Sequence, residues 1–168
     1  MELLQYFDTD DGSLPEIEVT FADPSQVVQA FEYLFACGAR NVTVGGGYLW
    51  QIASQTEVRF SGPGAAALVI AGTAEPFHIV LAGVSCAGHS IPDLGVFVDP
   101  DSLVLDYRMG PAWGEPEIQS LLALFRQFST LGGAVSVPWW GADGESAFLN
   151  ALRFFAPDNP FKQTRSAN

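Results

Sequence analysis

The stretch LGVFVDPDSLVLDY, residues 94–107, decides the fold. Two apolar, β-branched runs, Leu94 to Val98 and Leu103 to Tyr107, flank the turn residues Asp99-Pro100-Asp101. Runs bounded in this way read as strands. A connection this short joins antiparallel neighbours, because a parallel crossover needs a dozen residues or more.

The same punctuation extends back to Asn41. Further strand candidates are Asn41 to Val44, Tyr48 to Ala53, Glu57 to Phe60, Ala66 to Ala71 and Phe77 to Leu81. Gly45-Gly46-Gly47, Ser61-Gly62-Pro63-Gly64, Gly72-Thr73 and Gly88 separate them. Ala66 to Ala71 is also compatible with a helix; its shortness and its Gly/Pro flanks favour a strand. Trp50, inside a strand, reads as core.

On either side the pattern turns helical. Asp23 is placed to cap a helix that starts at Pro24, where a missing N–H costs nothing. Val27, Val28, Phe31, Leu34 and Phe35 then share one face, and Gly38 supplies the stop. A second helix spans Glu115 to Leu131, with Ile118, Leu121, Leu122, Phe125 and Phe128 inward and Glu115 and Glu117 at its positive end. Ala134 to Trp139 reads as a strand, and Asp143 as the cap of a last helix over Gly144 to Ala156. Ahead of the first helix, Glu2 to Phe7 and Glu16 to Phe21 read as a hairpin with Asp8 to Pro15 as its turn. The expectation is an α+β domain over residues 1–156: a largely antiparallel sheet of seven to nine strands with about three helices packed on it. Residues 157–168 are expected to form a flexible tail.

Charge narrows the function. The 168 residues carry 19 acidic and 7 basic side chains, a net charge of −12, and Lys162 is the sole lysine. Before Arg40 there are eight acids and no base. Such a chain repels a phosphate backbone and an anionic membrane, so neither nucleic acid nor membrane is an expected partner. It favours a cationic partner, unless the charge serves solubility alone. No apolar run has the length and character of a membrane helix, and the acidic start MELLQYFDTDDG has no basic leader. A cytoplasmic protein is the expectation. A Cys37–Cys86 bridge would need an oxidising compartment, to which nothing in the sequence points.

Candidates for chemistry are few. Cys86, His89 and Asp93 fall on one short segment. As zinc ligands they lack a second spaced pair, and as a nucleophile with its base they lack independent supports. A structural turn is the expectation, with no metal, no cofactor and no catalytic residue. Asp8-Thr-Asp10-Asp11-Gly12 misses the spacing of a calcium loop and reads as a turn. Asp106 and Arg108 flank Tyr107, and an ion pair between them is expected; a sharper reading gives Arg108 to an anionic ligand. Of the adjacent Trp139 and Trp140, one faces outward if both lie on a strand, since neighbours on a strand point to opposite faces; a bend at Gly141 would instead let both join the core.

Small, acidic α+β proteins of this character are typical of the immunity proteins of bacterial toxin systems. The segment DYRMGPAWG, Asp106 to Gly114, followed by a helix, resembles strand–Trp-Gly–helix segments in several such families. The resemblance implies a cytosolic protein that neutralises a cationic toxin domain by stoichiometric occlusion. From the charge gradient, Asp8, Asp10, Asp11, Glu16 and Glu18 are the expected contacts to a basic partner, with Trp140 as aromatic anchor. Two alternatives stand beside it: a small-ligand or hydrolytic enzyme built on Cys86, His89 and Asp93 with Arg108, and a structural or adaptor subunit of a bacterial assembly.

Overall fold

The computed structural model describes residues 2–155; the expected flexible tail lies outside them. In chain order the strands are β1 (Glu16–Thr20), β2 (Arg40–Asn41), β3 (Tyr48–Gln51), β4 (Thr56–Arg59), β5 (Phe77–Ala82), β6 (Leu94–Val98), β7 (Ser102–Tyr107) and β8 (Ala134–Ser136). The helices are α1 (Pro24–Ala36), α2 (Ala65–Ile70), α3 (Glu115–Thr130) and α4 (Gly141–Phe154). Six strands form one antiparallel sheet in the order β2-β5-β6-β7-β1-β8, and β3 pairs with β4 in a separate hairpin. The architecture is α+β and antiparallel as expected, with its strands divided between two sheets and one helix more.

Residues 94–107 form the centre of the large sheet. β6 and β7 pair along their whole length, from Leu94 opposite Tyr107 to Val98 opposite Leu103. Asp23 caps α1 by accepting the backbone N–H of Ser25 at 2.9 Å. Phe31 and Phe125, on the inner faces of α1 and α3, are fully buried. Their shell is aromatic: Phe31 meets Phe35, Phe60 and Phe77, and Phe125 meets Phe128 and Phe148. At α3 the Glu117 carboxylate accepts the Gly114 N–H at 3.0 Å, which satisfies a donor that the helix start leaves free.

Five expectations fail for local reasons. Glu2–Tyr6 is a 3₁₀ turn instead of the first strand of a hairpin. Leu3 and Phe7 are buried together, and their spacing suits one face of a helical turn as well as alternate positions on a strand. Ala65–Ile70 is helical, with Ala65, Ala66 and Val69 buried at helical spacing; the high helix propensity of alanine outweighs the flanking Gly and Pro. The run at Asn41 is cut to two residues because Val44–Gly46 turns in a 3₁₀ bend. β8 ends at Ser136, where Pro138–Trp140 forms a 3₁₀ turn and α4 begins at Gly141. Asp143 therefore lies inside the first turn of α4 instead of capping it.

Candidate functional site

The helices cover one face of the large sheet. Ile17 and Val19 of β1, Ile79 and Leu81 of β5, Val96 of β6, and Leu103 and Leu105 of β7 point into a core shared with α1, α3 and α4. The intervening residues point the other way, because successive side chains on a strand alternate between faces. Two rows cross this second face. Opposite one another in turn stand His78, Phe97, Val104, Glu18 and Ser136. The next row runs Val80, Gly95, Asp106 and Glu16. Glu16 and His78 are exposed, whereas Val80, Phe97, Val104, Asp106 and Glu18 are half-buried by their neighbours. The face is thus an apolar strip, centred on Phe97 and Val104, with carboxylates at the β1 side.

One contact organises its middle. His78 Nε2 lies 2.6 Å from Asp106 Oδ2, on a diagonal that passes over Gly95. A Cβ at Gly95 would collide with the Asp106 carboxylate, so glycine leaves the space in which the pair forms. The hydrogen bond to Asp106 holds the His78 pKa above its ordinary value; the charges of Asp106 and Glu16 add to this, and partial burial opposes it. An exposed pair of this kind stabilises by about 0.2–1 kcal/mol. Because the folded pKa is raised, that stability is fully present below the unfolded value of ~6.5 and is lost as pH rises through the folded pKa. An NMR titration should therefore give His78 a higher midpoint in the wild type than in Gly95→Ala, where the added methyl displaces Asp106. Equal midpoints would contradict the pairing.

The sequence-selected acids gather at one end of this face. Glu16 faces Asp106 across the β1–β7 ladder. Asp10 Oδ2 lies 3.0 Å from Arg108, just beyond β7, which holds the loop bearing Asp8, Asp10 and Asp11 at that same end. The expected Asp106–Arg108 pair does not form. β7 ends at Tyr107, so Arg108 leaves the strand and turns to Asp10, while Asp106 turns to His78. Asp11 accepts the Ser13 N–H at 2.9 Å and the Ser13 hydroxyl at 2.6 Å, and these bonds lower its pKa.

The tryptophans separate by environment. Trp140 stacks on Tyr6 with ring centroids 4.4 Å apart and donates its indole N–H to Tyr107 Oη at 3.0 Å. Tyr107 in turn donates to the Tyr6 carbonyl at 2.8 Å, and Trp113 donates to the Arg108 carbonyl at 2.8 Å. Trp140 and Trp113 thus close one end of the core, Trp113 as its plug. Trp139 is the outward member of the pair, 57% exposed. It lies in the turn after β8, three residues past Ser136, which pairs with Glu18 of β1. Trp50 is 43% exposed, contrary to its reading as core, because Leu49 takes the inward position of β3. With Tyr48 and Ile52, also exposed, it gives the small hairpin an apolar outer side that the sequence reading missed. The strict alternation Tyr48, Trp50, Ile52 around buried Leu49 was the available signal.

Cys86, His89 and Asp93 do not converge. The Cys86 sulfur turns to Cys37, 2.8 Å away, while His89 and Asp93 are exposed and His89 contributes its carbonyl to the Ser120 hydroxyl at 2.7 Å. Among the described residues no three His, Cys, Asp or Glu side chains stand close enough together to hold a metal ion, and no helix is long and apolar enough to cross a membrane. Comparison of the chain with protein-family models, curated proteins and solved structures finds no match.

Proposed function

We propose that this protein binds a basic protein partner across the open face of its six-stranded sheet and, by occluding that partner, neutralises it. The partner we have in mind is a bacterial toxin domain, met in the cytoplasm, and the protein acts stoichiometrically without covalent chemistry. The observation that carries the reading is the sheet face that none of the described elements covers: an apolar strip at Phe97 and Val104 bordered by Glu16, Glu18 and Asp106. An apolar centre with a charged border is how protein interfaces are commonly built. Trp139, exposed in the turn after β8, replaces Trp140 as the aromatic anchor, because Trp140 is engaged by Tyr6 and Tyr107. The dispersal of Cys86, His89 and Asp93 speaks for binding over catalysis. The test is inhibition of a basic partner captured from the native host. One equivalent of wild type should abolish the partner's toxicity or activity, and Trp139→Ala with Phe97→Ser should restore it. Inhibition that is substoichiometric, or indifferent to both changes in a folded protein, would overturn the reading.

A further inference from the structure

We infer that Cys37 and Cys86 are a redox pair that closes to an intramolecular disulfide. Their sulfurs lie 2.8 Å apart, although the residues are 49 positions apart in sequence. An S–S bond is ~2.05 Å long, so side-chain movement of less than ~1 Å completes it.

The backbone holds this approach from both sides. The two-residue β2 pairs with β5, Arg40 opposite Ala82 and Asn41 opposite Leu81. The alignment continues past the ladder, where Ser85 N–H donates to the Cys37 carbonyl at 2.8 Å. Between these bonds the chains pass at Gly38 and Gly83, with φ of 93° and 81°. A Cβ on Gly38 would lie 3.2 Å from the Gly83 carbonyl, so side chains there would press apart the segments that carry the two sulfurs. Cys37 ends α1 and Cys86 opens the loop after β5, so the bond would tie the helix to the edge of the sheet. This inference is independent of the proposed binding face, and the bond forms only where a disulfide oxidant is present; in a reducing cytoplasm the pair stays as two thiols.

The reaction needs a disulfide oxidant, a small-molecule disulfide or a protein dithiol oxidase. One cysteine, as thiolate, attacks the oxidant's S–S bond and releases one thiol. The second cysteine then displaces the other half, which leaves as the second thiol. The two cysteines lose two electrons and two protons, and the oxidant is reduced to two thiols. Burial, with Cys37 adding to it, pushes the Cys86 thiol pKa well up, which disfavours its thiolate, the attacking form.

The full chain, refolded from a reduced and denatured state in a buffer of oxidised and reduced glutathione, should lose two hydrogens by intact mass. Its non-reduced digest should contain a peptide linking Cys37 to Cys86. Its melting temperature should fall by ~5–15 °C on reduction. Cys37→Ser and Cys86→Ser should show no such redox-dependent shift. If either variant fails to fold, mass and peptide mapping of the wild type decide alone. Two free thiols after oxidative refolding, glutathione adducts in place of the bond, or disulfide-linked dimers would overturn the inference.

Discussion

Replacing Phe7 with alanine should cost ~3–5 kcal/mol of folding stability, the range for deleting a fully buried aromatic ring. The ring is 0% exposed and touches Tyr107, Trp113 and Trp140 at centroid distances of 4.8, 4.7 and 5.2 Å. Its removal opens a cavity beneath the tyrosine that ties Trp140 to the Tyr6 carbonyl. That hydrogen-bonded chain joins the N-terminal turn, β7 and the turn before α4, so the loss should be felt across three segments distant in sequence. A domain commonly holds only 5–15 kcal/mol in all, so much of the margin goes with one side chain. Urea denaturation monitored by tryptophan fluorescence measures it, with Leu149→Ala on the exposed side of α4 as a control expected to change little. A loss below ~1 kcal/mol at Phe7 would mean that the N-terminal turn does not seal the core as described.

Much of this was legible in the residues, and the failures have physical reasons. α1 and α3 could be read because cap, apolar face and stop agree, as at Asp23, Phe31 and Gly38. β6 and β7 could be read because the turn between them is too short for anything but an antiparallel pair. Leu3 and Phe7 misled because four-residue spacing fits both a strand face and a helical turn, and only packing on Tyr107 and Trp113 decides between them. The candidate face was legible in fragments: Glu16 and Glu18 alternate with Ile17 and Val19, and so had to point away from the core. Its other half was hidden, since strand order is a long-range property. Nothing local to residues 16–20 says that β1 inserts between β7 and β8, or that Asp106, bonded to His78, therefore stands beside it. The Asp106–Arg108 pairing failed in the same way, because each residue found a better partner from a distant segment.

Neutralising Asp8, Glu16 and Glu18 together, as Asp8→Asn, Glu16→Gln and Glu18→Gln, should slow association with the basic partner ~10-fold at low ionic strength. The three lie in or lead into the same end of the open face. Folding should be little affected, because among the described residues none of the three forms a salt bridge. Long-range steering acts on the approach of the partner, so the dissociation rate should change less than the association rate. The gap between variant and wild type should close as the Debye length shrinks from ~10 Å at 0.1 M salt to ~3 Å at 1 M.

The most direct test of the open face is a comparison of two variants of equal charge. The first is the triple change at Asp8, Glu16 and Glu18. The second removes three charges elsewhere, by Glu32→Gln on α1, Glu75→Gln before β5 and Asp143→Asn on α4, all exposed and none on that face. Stopped-flow association with the captured partner at low salt should show the first variant slowed ~10-fold and the second within about twofold of wild type. Equal slowing of both variants, or a larger effect of the second, would contradict recognition through the open sheet face.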